Sequence, residues 1–593
     1  MEKAVIRLIS NSIMLHKWVC LSSCAVKYCT SQNTANLLED IPTCKEIKYQ
    51  KENLKKYVDS FSSDNNTKDM VTSNLQPNHY AGITKLLKYL NEFYGVTNKN
   101  LCYEDIKTSK KFVEMCTLIQ QNARNLETFD IIYALKVLFS MNVPSDTAVV
   151  QTLLQLTRVL INTLTISQIL YLYHTLKVHN ETPLAKALLY ALHKVSHMQI
   201  HVELNRDDIY RTISVLKFAC NTNNIQAIRH TLNILSRNQE SLNLNDSISV
   251  LYALFLIPEL TNSYRRLLDQ VMNEIMNNHS MLKFNAISFL LAIITMKISE
   301  KGLKEFYNKQ LINLLCQDCI DKNVNVSDGI KILKRLNKIG FSNIPLLDFL
   351  TEKCTEDSNI LKTCSHQTIF HFIRALGIAN YKPQHWFTVQ SIIVNSFLNQ
   401  NLPIGYVAKV TFYLLSLGCY DEQLLENIFT LYYCNHSHVK DVRTLNNILQ
   451  LHQCVKSLYP CYDGITLSKN IIDALLSQTD RKIVSFSLAD HLEEILGGNR
   501  YVKSNLRSKL GHHVEAIVVI QPDGSPMAIN DYQDDITYIE DLVSPPDFHK
   551  ILFLLTTKTS YSRNLEIPSS TLQILVNSLE TLIKCNVICI NIL

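Results

Sequence analysis

The stretch LADHLEEILGGNRYVKSNLRSKLGHHVEAIVVIQPDGSPMAIN, residues 488–530, is the part of the chain that predicts a β-sheet. Within it, residues 514–520 (VEAIVVI) are rich in β-branched side chains and predict a strand. The PDGS sequence at residues 522–525 is typical of a turn, because Asp-Gly supplies a residue that tolerates positive φ. Residues 527–529 (MAI) are then expected to return as the second arm of a β-hairpin.

A second stretch, DFHKILFLLTTKTSYSRN at residues 547–564, extends this sheet. Its unbroken apolar run, residues 551–555, is typical of a strand that is covered on both faces. Residues 569–584 predict a helix with Ser569 as its N-cap, and residues 587–592 predict a last buried strand. The C-terminal part is therefore expected to be a small α/β unit with the order helix, hairpin, strand, helix, strand.

Charge is distributed unevenly along this unit. Residues 499–514 contain bases and no acid, whereas residues 523–547 contain seven acids and no base. A cationic run that includes an aromatic residue, Tyr501, suits a phosphate backbone, and a solvated helix face is the alternative interpretation. The basic and potentially basic residues of the run are Arg500, Lys503, Arg507, Lys509, His512 and His513.

Three pieces of this region carry a resemblance to a known family. They are GGNRYVKSN (497–505), GHHVEAIVVIQPDGSPM (511–527) and KILFLLTTKTSYSRN (550–564), and in this order they resemble the C-terminus of the FAST kinase domain-containing family. In that family a second FAST module is followed by a RAP domain. The resemblance implies a mitochondrial RNA-binding protein of helical repeats that acts on the processing, stability or translation of organellar transcripts. It also implies a RAP domain similar in fold to PD-(D/E)xK endonucleases.

The sequence departs from the family where a nuclease would hold its metal. RAP domains that carry Glu-x-Asp-Gly followed by His would place acids where this chain has Leu554, Thr556, Thr557 and Ser560. We therefore predict no catalytic residue, no metal and no cofactor. The kinase motifs are also missing from the sequence: there is no glycine-rich phosphate loop, H-R-D or D-F-G. An endoribonuclease that uses a histidine of the His-His pair as general base and Glu515 as metal ligand remains an alternative.

Residues 81–475 predict helices throughout, and the pattern repeats. Each repeat has an apolar anchor at the start of a helix, and successive anchors are 38 to 43 residues apart. This period predicts two-helix hairpins that stack into an α-solenoid, with an irregular helical bundle as the alternative. The anchors are Ile131, Ile169, Ile209, Ile248, Ile287, Ile330, Ile369, Val407 and Ile448.

Some repeats carry a basic or potentially basic residue five positions after the anchor. These residues could line a phosphate track, with tyrosines or histidines stacking on bases, or they could be ordinary solvated positions. They are Lys136, His174, Arg335 and Arg374. Lys558 and Arg563, in the C-terminal stretch, complete the residues that we predict to contact RNA.

Composition favours a reducing compartment and no membrane span. The 593-residue chain has a net charge of +5 and 17 cysteines without a disulfide rhythm, which indicates the cytosol or the mitochondrial matrix. No segment reaches the ~18–20 apolar residues that a transmembrane helix needs. Residues 1–38 have four bases, one acid and many Ser and Thr, as in a mitochondrial transit peptide, so we expect the matrix.

The predicted chain is thus mostly α-helical and ends in a small α/β domain. We expect it to bind single-stranded mitochondrial transcripts without cleaving them, together with RNA-processing or ribosomal machinery. An endoribonuclease and a protein-binding helical scaffold are the alternatives. The acidic spacer, residues 531–547, is expected to lie against the basic run when RNA is absent. The predicted segments are a transit peptide (1–38), a linker (39–80), the helical repeats (81–475), a FAST-type module with hairpin and spacer (476–545) and the RAP domain (546–593).

Overall fold

A computed structural model describes residues 107–591 with short gaps. The predicted transit peptide, the linker and the start of the helical region lie outside these described residues. The described part is mostly helical and ends in a small sheet, which confirms the predicted fold class. It divides into two compact units, residues 107–285 and residues 286–591. The gaps are 180–181, 205–207, 239–241, 302, 358, 399–401, 436–440, 480–487, 532–535 and 537.

The first unit is built from helices in two layers. In one layer α2, α4, α6 and α8 pack in succession, and in the other α1, α3, α5, α7 and α9 do so. A core that includes Leu138 and Leu153, both fully buried, lies between the layers. The helices are α1 (Lys110–Asn122), α2 (Thr128–Ser140), α3 (Ala148–Leu160), α4 (Ile166–Val178), α5 (Pro183–Glu203), α6 (Ile209–Asn221), α7 (Ile225–Leu235), α8 (Leu244–Leu256) and α9 (Asn262–Asn277).

The second unit repeats this arrangement. Helices α12, α15, α17 and α19 pack in succession as its first layer, while α11, α13, α16 and α18 form the second layer. Helix α20 packs against α19. The helices are α10 (Phe284–Lys301), α11 (Lys309–Asp321), α12 (Val326–Lys338), α13 (Ile344–Glu356), α14 (Asn359–Thr363), α15 (His366–Ala379), α16 (Trp386–Leu398), α17 (Ile404–Ser416), α18 (Glu422–Asn435), α19 (Val442–Leu458) and α20 (Lys469–Thr479).

The predicted repeat is confirmed by the positions of its anchors. Each of the nine anchors lies on its own helix, and none is more than 8% exposed. The helices are α2, α4, α6, α8, α10, α12, α15, α17 and α19. The apolar residues that follow seven positions later, such as Leu138 and Leu376, are also buried. The period near 40 residues therefore reflects helix pairs that bury one stripe each against their neighbours.

The helices that carry the anchors share an ending that the apolar spacing does not indicate. Five of them are followed by an asparagine or glycine with φ between 45° and 76°, a conformation that suits these two residue types. The next amide then donates back to a carbonyl of the last helical turn, for example from Tyr381 to Leu376 at 3.1 Å. These residues are Asn142, Asn223, Gly340, Asn380 and Gly418.

The chain ends in a four-stranded sheet that is flanked by helices. The strand order is β1-β2-β3-β4, with antiparallel pairs except for parallel β3 and β4, which α22 joins as a crossover. The sheet unites residues 476–545 with 546–593, which the predicted organisation separated. The elements are α21 (Leu488–Leu496), β1 (Lys503–Arg507), β2 (His513–Ile520), β3 (His549–Thr556), α22 (Ser570–Ile583) and β4 (Asn586–Asn591).

Apolar side chains cover both faces of this sheet. On one face Phe553 packs in a cluster with Leu492 of α21. On the other face Leu552 packs in a cluster with Leu579 of α22. Two covered faces explain why β2 and β3 are almost continuously apolar in sequence.

The predicted hairpin is wrong in its second arm. Residues 527–529 form no strand; the amide of Met527 donates to the Val519 carbonyl at 2.8 Å, and only an isolated bridge joins Ile520 to Pro526. The partner of β2 on this side is β1, which lies inside the basic run. Strand β1 (KSNLR) is an edge strand, and Leu506 is its one apolar side chain. The basic run therefore lacks the alternation of apolar and polar residues by which a strand is recognised in sequence.

Candidate nucleic-acid interface

Four of the predicted RNA contacts lie together at the edge of the sheet. Arg500 is exposed, and its guanidinium lies 4.7 Å from the centre of the Tyr501 ring. Lys503 and Arg507 are the first and last residues of β1, and Lys509 is exposed in the turn that follows. We call Arg500, Lys503, Arg507 and Lys509 the basic edge. The strand and its flanking turns bring these charges to one edge of the sheet, where a phosphate backbone could contact them.

The described part of the acidic spacer lies against the basic edge, as expected. Lys509 Nζ lies 2.6 Å from a carboxylate oxygen of Asp541, and its backbone amide donates to the Glu540 carboxylate at 2.8 and 3.0 Å. The hydrogen bond to Asp541 raises the pKa of Lys509. A parallel bridge joins Arg507 to Tyr538. The spacer therefore offers the basic edge an internal anion.

His512 is buried, so the prediction that it contacts RNA is wrong. One ring nitrogen lies 2.7 Å from Ser508 Oγ, and the other lies 3.0 Å from Ser578 Oγ of α22. Burial, and then the charge of His452, lowers its pKa to about 3. The neutral ring can donate through one nitrogen and accept through the other, which matches its two hydroxyl partners. His512 thus holds the turn before β2 against α22.

The site of the alternative endoribonuclease centre contains one strand acid beside apolar residues. His513 Nδ1 lies 3.9 Å from Glu515 Oε1 on β2. The pairing of Ala516 with Phe553 places Glu515 beside Leu554 of β3. Within the described residues no three His, Cys, Asp or Glu side chains are grouped as metal ligands would be. The arrangement offers His513 a carboxylate partner but gives a divalent metal few oxygen ligands.

Arg563 is engaged at the junction between the sheet domain and the first-layer helices. Its guanidinium lies 4.1 Å from the centre of the Tyr307 ring, and its backbone amide donates to the Gly340 carbonyl at 2.7 Å. Gly340 has φ +66°, a conformation that favours glycine, and a Cβ there would approach the Tyr561 carbonyl oxygen to 3.3 Å. Both the backbone conformation and the close approach therefore favour glycine at this turn. The structure therefore assigns Arg563 to docking, where the sequence predicted contact with RNA.

Side-chain hydrogen bonds complete this junction. Asn564 accepts from the Ser342 amide at 2.8 Å and donates to the Ser342 carbonyl at 2.7 Å. Helix α22 adds two hydroxyl contacts with the first layer. These are Ser570 with Ser416 at 2.7 Å and Ser578 with Ser457 at 2.6 Å.

The predicted phosphate track at the fifth position after each anchor is not a row of exposed cations. Arg335 is half-buried, its guanidinium donates to Ser288, and burial lowers its pKa to about 10. Arg374 is 9% exposed. Lys136 is half-buried, with Nζ 4.8 Å from the centre of the Tyr171 ring. The prediction of solvent-facing cations is wrong for Arg335 and Arg374, because the fifth position points between neighbouring helices.

Lys558, the remaining predicted contact, begins a 3-10 turn, Lys558–Ser560, and its side chain lies outside the described part of the structure.

Other cations of the first layer were missed. Lys334 and Lys338 of α12 stand four and eight positions after their anchor and act electrostatically on His371 of α15. Lys409 of α17 stands two positions after its anchor and lies 5.9 Å from the centre of the Phe370 ring. The prediction considered only the fifth position after each anchor, whereas these lysines stand at other positions of their helices.

The fold and these contacts define the class: a helical-repeat protein with a docked C-terminal α/β domain. No protein-family model matches the chain, and no curated protein matches it in sequence. Its relation to the FAST kinase domain-containing family therefore stays a prediction from the motifs. Among the described helices, none has both the length and the apolar content that crossing a bilayer requires.

Proposed function

We propose that this chain is a mitochondrial RNA-binding protein that acts on organellar transcripts by binding and not by cleavage. The basic edge carries the proposal: four cations and an aromatic ring lie on an edge strand and the turns that flank it. This chemistry suits a single-stranded backbone with accessible bases. Placement in the matrix, and action on stability, processing or translation with the machinery of those steps, is supported by the motif resemblance and the N-terminal composition.

The docked architecture supports the same proposal. The sheet domain is fixed to the first-layer helices by Asn564, Arg563 and α22, so the basic edge and that layer belong to one compact unit. A long ligand can contact both parts of such a unit, and a helical-repeat layer offers an extended surface. The mechanism is occupancy, in which a bound transcript is protected or presented to other factors.

Salt dependence tests this proposal. If each of the four cations neutralises one phosphate, log K for a single-stranded RNA should fall with log salt with a slope of about −3. Charge reversal at Lys503 and Arg507 should weaken binding and reduce that slope by about half, as measured by fluorescence anisotropy with a labelled oligoribonucleotide. Lys304→Glu, at an exposed lysine before α11, is the control, and it should change the affinity and the salt slope little.

Two results would replace the proposal. Absence of RNA binding, with protein partners captured at all salt concentrations, would favour the helical scaffold. Cleavage of the RNA in Mg²⁺ or Mn²⁺ that is lost on Glu515→Ala would favour the endoribonuclease.

A further inference from the structure

A pocket lies between α15 and α17, away from the residues of the basic edge. Three rings, an amide and a cation line it. Phe370 forms the apolar part: its ring centre is 5.9 Å from that of Tyr406 and 5.5 Å from that of His371, and both rings are tilted to it. The lining residues are Gln367, Phe370, His371, Tyr406 and Lys409.

Two side chains of the pocket have buried polar atoms that lack partners in the described structure. His371 is 9% exposed, and neither of its ring nitrogens has a hydrogen-bond partner among the described residues. The hydroxyl of Tyr406 is also buried without one in this part of the chain. Buried polar groups in folded proteins are nearly always hydrogen-bonded, so two unsatisfied groups in one pocket point to a ligand.

The chemistry of these groups suits a nucleobase. Burial, followed by the charges of Lys334 and Lys338, lowers the pKa of His371 to about 4, so its ring is neutral at physiological pH. A neutral imidazole, a phenol and the Gln367 amide together offer both donors and acceptors. A carboxylate or phosphate would use only the donors, whereas the edge of a base uses both.

Three lysines contribute positive charge at the pocket. Lys409 of α17 lines it, and Lys334 and Lys338 of α12 act electrostatically on His371. The charge of Lys409 in turn contributes to lowering the pKa of Asp441 of α19. The positive charge of the three lysines suits the phosphates on either side of a base.

We propose that this pocket receives one base of a bound RNA strand, with Phe370 against the base and His371, Tyr406 and Gln367 hydrogen-bonded to its edge. The inference rests on the proposed RNA-binding function and adds base selectivity to it. The basic edge would supply affinity that is independent of sequence, and the pocket would favour particular bases.

Two variants test the pocket without threatening the fold. Tyr406→Phe removes only a hydroxyl that has no partner among the described residues, and Gln367→Ala changes an exposed side chain. Full-length protein is titrated with labelled homopolymers of each of the four bases. We expect each variant to bind the preferred homopolymer about three- to tenfold more weakly, with an unchanged salt slope, because a hydrogen bond and not a phosphate contact is lost.

The matched controls are Tyr420→Phe, at a tyrosine whose hydroxyl donates to Glu422, and Gln317→Ala, at an exposed glutamine of the second layer. Neither should change the base preference. If the wild type binds RNA but both pocket variants bind all four homopolymers as the wild type does, the pocket proposal is wrong and the proposed function stands. If the wild type binds none of them, both proposals fail.

Discussion

Buried histidines are a recurring feature of the second unit at the scale of single residues. Burial lowers the pKa of His371 and His452 to about 4 and that of His512 to about 3. His512 is held by two serine hydroxyls, and His452 accepts the Leu467 amide at 3.3 Å. All three are neutral in the folded chain at neutral pH, so none of them brings a charge inside, and His452 and His512 take part in hydrogen bonds as neutral rings.

These three residues predict that the chain loses stability in mild acid. The unfolded chain takes up protons at histidine near pH 6.5, whereas the folded chain does so near pH 4 or 3. Protons therefore favour the unfolded state as pH falls below 6.5, and the stabilisation from neutral histidines is fully present above it. Each histidine should contribute up to about 1.4 kcal/mol per pH unit to the loss.

Urea unfolding between pH 7 and 5, a range above the ordinary pKa of carboxylic acids, measures this effect. His512→Gln should make the pH dependence shallower by about one histidine's share, and His549→Gln, at an exposed histidine, is its control. An unfolding midpoint that stays constant from pH 7 to 5 would contradict the prediction.

At the scale of elements, the composition of β1 fits its position in the sheet. It is one of the two outermost strands, and its side chains are mainly basic and polar, which discourages pairing with another sheet. The described spacer residues Glu540 and Asp541 bind the turn after it through Lys509. An exposed ion pair of this kind is weak, so a polyanion can displace it.

The contact with the spacer predicts that removing its acids strengthens RNA binding. In the wild type, Lys509 must break its contacts with these two carboxylates before it can bind a phosphate. The double variant Glu540→Gln with Asp541→Asn removes both carboxylates, so this cost is absent. Affinity at low salt should rise by about threefold, as expected for the loss of one surface ion pair. Asp473→Asn, at an exposed acid of α20, is the control. Equal affinities for the double variant and the wild type would show that the spacer does not compete with RNA.

The elements that could be predicted are those whose pattern repeats or whose burial is two-sided. Each anchor, such as Ile330, sits in a stripe that must face a neighbouring helix, and Ile551 lies in a strand covered on both faces, so apolar spacing alone finds them. Strand β1 gave no such signal, because its pairing partner and not its composition makes it a strand.

The candidate site was harder to predict than the fold for a physical reason. Whether Arg374 or His512 faces solvent depends on which neighbouring helix covers it, and residues distant in sequence decide that: Ser578, for example, covers His512. The basic edge was predicted because contiguous residues form it. The pocket around His371 was not, because its members come from two different repeats and carry no shared spacing.

At the scale of the whole second unit, the sheet domain and the helical layer are joined by a polar lock. The amide of Asn564 serves both the amide and the carbonyl of Ser342, and Ser562 Oγ donates to Ser342 Oγ at 2.9 Å. Lys309 Nζ donates to the Asn564 carbonyl at 2.9 Å. Such a lock fixes orientation, because a reciprocal pair of hydrogen bonds is satisfied in only one relative position of its partners.

The lock predicts that a nearly isosteric change, Asn564→Asp, loosens the docking of the sheet domain. An aspartate can still accept the Ser342 amide, but it cannot donate and sets a negative oxygen against the Ser342 carbonyl. The cost should be about 1–3 kcal/mol, and the amides of α22 should lose protection from hydrogen exchange by roughly ten- to a hundredfold as the domain opens. Asn577→Asp is the control, because Asn577 only accepts from Gln573 on the exposed side of α22. Equal protection of α22 in the two variants would contradict this prediction. It would mean that the contacts of α22, including those of Ser570 and Ser578, hold the domain in place without the hydrogen bonds of Asn564.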